Sequence, residues 1–248
     1  QSFIFETNKL KEMVGASEMV EGINEFFLGD FYKKYKLSFQ EQNKIRFAAG
    51  NIRVLCSEED AQKIVLHFPK ELQSYAPGIS VLQALVKIEG DLSSKDMSKL
   101  EERLRIQKNR LQKPFYYGLN ATERCRRTGK PACAREEEEL IDLSTQKKQE
   151  EGREEAARRL SCKILEKFDD FRFPMDISEI VRNQGKKKGD WLAVVHADGN
   201  NLGKILIKLS KVLEGKNIAS GYKSFSIAIK EATEAAARNA FRNVILEE

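Results

Sequence analysis

The spacing of apolar residues changes period several times along this chain. Residues 2–8 carry Phe3, Ile4 and Phe5 in one short run, which predicts a strand. From Lys9 to about Tyr35 the spacing turns helical, through Leu10, Met13 and Val14, then Met19, Val20, Ile23, Phe26 and Phe27. Gly15-Ala16-Ser17 predicts a break in that run, with Ser17 capping a second helix. Ile45-Arg46-Phe47 and Ile52 to Cys56 flank Gly50-Asn51 and predict a β-hairpin. Ser57, followed by Glu58, Glu59 and Asp60, opens a helix to about Tyr75, acidic where the helix dipole favours acid. Pro77-Gly78 ends it, and Ile79 to Ile88 predicts another strand, with Ile79, Val81, Leu85 and Val86 as its apolar side chains.

Polarity then rises. Lys95 to Lys113 has a helical pattern with Leu100, Leu104 and Leu111 on one face, and Pro114 stops it. Residues 114–134 predict irregular structure containing Cys125 and Cys133. Arg135 to Lys167 predicts a very polar helix, with the run Glu136 to Glu139 at its start facing water. Pro174, Gly185, Gly189 and Lys186 to Lys188 make residues 169–190 a linker. A second apolar run begins at Trp191, and Lys223 to Val244 is again helical.

The second run is the most informative. Trp191-Leu-Ala-Val-Val-His-Ala-Asp198 ends on a carboxylate, Gly199 turns the chain, and Leu202, Ile205, Leu206 and Leu209 begin an amphipathic helix. A buried strand would thus deliver Asp198 to a helix N-terminus. There Gly199 allows close backbone approach, Asn200, Asn201, Leu202 and Gly203 present amide N–H groups to a phosphate, and Lys204 adds positive charge. Two other readings stand beside this one. Asp198-Gly199 is also an ordinary N-cap turn, and Lys204 is also an ordinary solvated lysine. A weaker copy of the motif opens the chain: Glu6 aligns with Asp198, Asn8 with Asn200, and Leu10 with Leu202. In the first copy the hairpin follows at Gly50-Asn51. The same separation from Asp198 falls within the helical pattern Arg238 to Val244, so the second copy's hairpin is expected beyond Glu248.

Composition adjusts this picture only slightly. The 248 residues suit two small domains. A net charge of +5 suits a phosphate-bearing partner without demanding one. There is no leading apolar segment and no run of about eighteen apolar residues, and the four cysteines (Cys56, Cys125, Cys133, Cys162) are irregularly spaced. These features point to a cytoplasmic protein with reduced thiols and no membrane partner. Cys125 and Cys133 make a poor zinc pattern, because tetrahedral sites use four ligands and both histidines lie far off in sequence. A turn at Thr128-Gly129 and packing are expected to hold that segment instead. Cys56 and Cys162 are expected as small buried apolar residues, and His196 as a strand histidine. The basic runs Arg124 to Arg127 and Lys186 to Lys188 lack interleaved aromatics, so solvated loop charge is favoured over RNA contact.

Taken in order, Phe-Glu-Thr-Asn-Lys-Leu, Ala-Gly-Asn, the cysteine-bearing insert and Asp-Gly-Asn-Asn-Leu-Gly resemble the large palm-domain subunit of type III CRISPR effector complexes, or a compact standalone relative of prokaryotes. The resemblance implies an α+β chain of two ferredoxin-like palms, of the kind shared by nucleotidyl cyclases and polymerases. Residues 1–92 would be a degenerate first palm, 93–190 a helical insert and linker, and 191–248 the N-terminal part of a second palm. It further implies ATP as substrate and two Mg2+ or Mn2+ ions, with Asp198 as the one metal ligand and catalytic residue present. Gly199 to Lys204 would bind phosphate. Two metals about 3.5–4 Å apart stabilise the entering and leaving oxygens of such transfers. The 3′-hydroxyl of one nucleotide would attack the α-phosphate of the next, giving a cyclic or linear oligonucleotide signal in antiviral defence. Gly50-Asn51 stands where the family's acidic hairpin would be, and an amide brings no negative charge to a hard cation. The first palm is therefore expected to be silent, with Glu6 a strand-end or capping residue. Two alternatives remain open: a non-catalytic nucleotide- or RNA-binding scaffold of a defence complex, with effector subunits as partners, and a ferredoxin-like regulator that binds no nucleotide.

Overall fold

The computed structural model describes residues 2–48, 50–110, 121–136, 138–152 and 218–245, with single positions in the stretches between. The architecture is mixed α and β: five principal helices and two small antiparallel sheets, each of two strands among the described residues. No helix among the described residues is long and apolar enough to cross a membrane.

Helix α1 spans Leu10–Phe26 and runs on through a π-helical turn, Phe27–Phe31, to Lys34. The expected break at Gly15-Ala16-Ser17 does not occur. Gly15 and Ala16 are buried, and their small size admits a neighbouring helix rather than ending their own. Strands β1 (Lys44–Ala48) and β2 (Asn51–Val54) form the expected hairpin. Ala48 pairs with Asn51, so Asn51 lies in β2 and the tight turn comes before it, where a Gly-Asn turn was expected. Gly50 takes the positive φ (72°) that this tight turn requires. Helix α2 spans Glu58–Tyr75. Ser57 caps it by accepting the N–H of Asp60, and both the N–H and Oγ of Ser38 donate to Asp60 Oδ2 at 2.8 Å. One carboxylate thus holds the α1–β1 connection to the start of α2.

These elements enclose an aromatic core of Ile23, Phe27, Phe31, Leu37, Phe39, Phe68 and Leu72. Phe68 stands edge-on to both Phe27 and Phe31 at 5.1 Å. Such pairs add about 0.5–1.5 kcal/mol beyond area burial. The π turn keeps Phe27 and Phe31 ring to ring at 5.6 Å. Helix α3 (Ser94–Lys108) begins at a capping box of Ser93 and Asp96. Helix α5 (Ile218–Ile245) matches the pattern expected from Lys223 onward, and its first turns cover β1 through Ile218 and Tyr222, which pack on Ile45 and Met97.

Both outer strands expected of the first unit are missing. Ile4–Glu6 is a 3-10 turn with Phe3 buried before it and Phe5 67% exposed, and Ser80 to Ile88 carries no ladder among the described residues. A strand is stable only with a partner, and neither segment has one among the described residues. Between them, β2 and α1 to α3 lies a cavity of about 440 Å³, walled by Ile23, Ile52, Phe68, Val81 and Leu104 among others.

The insert also differs from expectation. Its polar stretch is not one helix: Ala132–Glu136 (β3) and Glu139–Asp142 (β4) form a second hairpin, and the acidic run lies at its tip. Helix α4 follows at Leu143–Glu151. Residues 181–200 and Asn201 to Lys204 lie outside the described residues, as do Leu111 and Pro114.

Candidate functional site

Asp198, Gly199, Asn200, Asn201, Leu202, Gly203, Lys204 and His196 all fall outside the described residues. Their counterpart in the opening copy of the motif does not, and it lies in a buried ionic junction between the N-terminal segment and the insert.

The junction is set by a close helix crossing. A Cβ added at Gly15 of α1 would lie 1.8 Å from the Lys148 carbonyl oxygen, and one at Gly152 would lie 2.0 Å from that of Lys11. With α4 this near, Lys148 is fully buried beneath Glu6. Its Nζ donates to Glu6 Oε2 at 2.8 Å and stands 4.3 Å from the Phe3 ring centroid. Lys130 comes from the tight turn after Cys125, in which the Gly129 N–H donates to the Cys125 carbonyl and the Cys125 N–H to that of Lys130. Its ammonium pairs with Glu6 Oε1. Burial pushes the Glu6 carboxyl up, but hydrogen bonds from Lys130 and Lys148 together with their charges outweigh it and hold the pKa below the ordinary range.

Asp142 completes this layer. It caps α4 by accepting the N–H groups of Ser144 (3.0 Å) and Thr145 (3.2 Å) at Oδ1, and the hydroxyls of Thr128 (2.7 Å) and Thr145 (2.8 Å) at Oδ2. Burial raises its pKa, yet those hydroxyls, the Thr145 N–H and the Lys130 charge lower it overall. A second layer joins Glu12 of α1, fully buried, to Arg127 Nη1 at 2.6 Å and to Gln149 Nε2 at 2.9 Å. Arg127 Nη2 also reaches Glu139 at 2.7 Å, and Lys9 reaches Glu139 at 3.3 Å.

Glu6 is therefore neither a strand end nor a helix cap. Each of its oxygens holds an ammonium, so it does not fit a divalent cation. Among the described residues no three His, Cys, Asp or Glu side chains gather into a cation cage. Asn8 is exposed. Of the basic run, Arg124 and Arg126 are exposed while Arg127 turns inward to Glu12. Cys125 is buried in its turn. Cys133 is exposed, its thiol facing the Ile141 carbonyl at 3.6 Å, and Cys162 is exposed rather than buried.

No protein-family model matches the chain, and no curated protein does.

Lys130, Lys148, Asp142, Arg127 and Glu12 form this junction, and none of them stands out in the sequence as a site. Two signals were present. Asp142-Leu-Ser144-Thr145 is a good N-cap pattern, and Thr128-Gly129 is a turn. Nothing local distinguishes Lys148 from its solvated neighbour Lys147.

Proposed function

We propose that this chain is a palm-type nucleotidyltransferase-like protein whose second half binds ATP, with Mg2+ or Mn2+ at Asp198 and phosphate at Gly199 to Lys204. On this reading it makes an oligonucleotide signal in a prokaryotic, CRISPR-like defence setting, in the cytoplasm, joining nucleotides with release of pyrophosphate. The first half is its non-catalytic platform. The observation that carries the reading is the paired motif: in the copy at Glu6 two lysines have taken the carboxylate, and in the copy at Asp198 the acid is followed by the phosphate-suited turn. The neutralised Glu6 also favours a second reading, in which the whole chain is a nucleotide- or RNA-binding scaffold without turnover.

Calorimetry with ATP and Mg2+ or Mn2+ tests the first reading. Metal-dependent binding is expected, and Asp198→Ala should weaken it at least tenfold. Absence of metal-dependent binding refutes the first reading. Binding without pyrophosphate release selects the scaffold.

A further inference from the structure

Unlike Arg124 to Arg127, the basic run Tyr32-Lys33-Lys34-Tyr35-Lys36 at the end of α1 is interleaved with aromatic residues. One of them belongs to a column of rings that climbs from the core to the surface. Phe27 stacks on Phe31 at 5.6 Å, Phe31 meets Tyr35 at 4.5 Å, and Tyr35 stacks on His67 of α2 at 4.7 Å with 21° between the planes. Phe27 and Phe31 are buried, while Tyr35 and His67 are half-buried. The Tyr35 hydroxyl donates to Glu71 Oε1 at 2.7 Å, and the Lys34 ammonium donates to the same oxygen at 2.7 Å. The outermost ring, His67, therefore rests on a support anchored in the core. Such pre-organisation lowers the ordering cost of stacking another flat group on it.

Positive charge gathers at this end of the column. Lys63, His67 and Lys70 follow one another along one face of α2 at helical spacing. Residues 32–36 and 63–71 together hold Lys33, Lys34, Lys36, Lys63 and Lys70 against a single acid, Glu71. Lys33, Lys34, Lys36 and Lys70 are exposed. Lys36 adds a separate signal. Its φ is 49°, the left-handed conformation in which α1 ends, and the Leu37 N–H donates back to the Tyr32 carbonyl at 3.1 Å. Glycine suits such a position, and a side chain there costs stability. Exposed Lys36 has no core packing to offset that cost, so its charge is the property to explain.

An acidic peptide or an anionic lipid surface would use the lysines and leave the ring column without a role. A single-stranded polynucleotide uses both, its phosphates on the lysines and a base on the outermost ring. We propose that this face of the first unit binds single-stranded nucleic acid. One base stacks on the His67 ring and continues the column, and the phosphates beside it pair with Lys33, Lys34, Lys36 and Lys70. The site stands whether or not Asp198 binds ATP.

Fluorescence anisotropy on the whole chain tests this, with labelled oligo(U) and oligo(dT) of about twelve nucleotides and a duplex of the same length. Both single strands should bind more tightly than the duplex, and the tighter of the two assigns RNA or DNA. Affinity should fall as salt rises. His67→Ala should weaken single-strand binding at least fivefold with the salt dependence unchanged, because it removes a stack and no lysine. His67→Phe, which keeps a ring, should bind as the parent chain does. Lys36→Gly should raise the thermal midpoint yet weaken binding several-fold, with a shallower salt dependence. A folded chain that binds no single strand overturns the proposal. So does a duplex bound as tightly as the single strands, or His67→Ala binding like the parent, since either marks a plain polyanion surface. Polyglutamate displacing the label as readily as unlabelled oligo(U) overturns it too, in favour of an acidic protein partner. A stabilised Lys36→Gly with unaltered affinity would place any binding elsewhere and overturn it as well.

Discussion

At its C-terminal end α1 packs Ile23 and Phe27 into the aromatic core. At its N-terminal end it packs Gly15 and Glu12 against the ionic junction. The first contact is non-directional: rings of similar volume fill a dry space, and stability follows the area they remove from water. The second is directional. Its charges balance only while every partner is present, and Thr7 Oγ1, Ser144 Oγ and one oxygen of Glu12 stay buried without a partner among the described residues. A junction of that kind contributes little net stability but penalises any other arrangement of α4 on α1. The insert is thus positioned by electrostatics, and the helices of the first unit by packing.

The largest expected effect lies at the aromatic end. Phe27→Ala should destabilise the chain by about 3–5 kcal/mol in urea unfolding, because the surrounding rings cannot close the space. A loss below about 1 kcal/mol would show that the core is not what holds α1 to α2. At the ionic end, Arg127→Met should cost about 3 kcal/mol by stranding the buried Glu12 carboxylate. Adding Glu12→Gln should recover more than half of that loss, since the penalty comes from the unpaired charge. No recovery in this double-mutant cycle would mean that Arg127 acts through its contact with Glu139 or through its stem.

Acid should separate the two ends next. The folded-state pKa values of Glu6 and Asp142 are depressed. Their contribution is present above the unfolded carboxylate values of about 4 and is lost as pH falls through the lower folded values. The urea midpoint should therefore drop between neutral pH and pH of about 3, with a shallower drop in Glu6→Gln and an unaltered one in Phe27→Ala. The smallest effect belongs to a local feature shared by neither end. Ser57→Ala removes the α2 cap and should cost about 1 kcal/mol by thermal unfolding.

Most helices were readable from the chain. The periods through Leu10 to Phe27, Glu58 to Tyr75 and Lys223 onward appear as α1, α2 and α5, and Ser57 caps where expected. Gly15-Ala16 misled because a small pair signals either a helix stop or a helix crossing, and only the presence of α4 decides between them. The acidic run misled in the same manner: beside Ala132 to Glu136 it became the tip of a hairpin rather than a helix start. Helix α4 inverts the usual pattern, burying Ser144, Thr145 and Lys148 while Leu143 is 49% exposed. A reading that equates apolar with inside cannot find such an element. The motif at Asp198 was legible as a pattern, and its geometry lies outside the described residues.

The order of helices, the first hairpin with its glycine turn, and the capping serine of α2 were all decided by residues within a few positions of one another. Local dihedral preference and apolar spacing suffice for these. Whether residues 2–8 pair as a strand, and whether Glu6 meets a cation, a cap or an ammonium, was decided by partners 124 and 142 positions away. Pairing and charge compensation depend on which groups are brought together out of water, and that is a property of the folded chain alone.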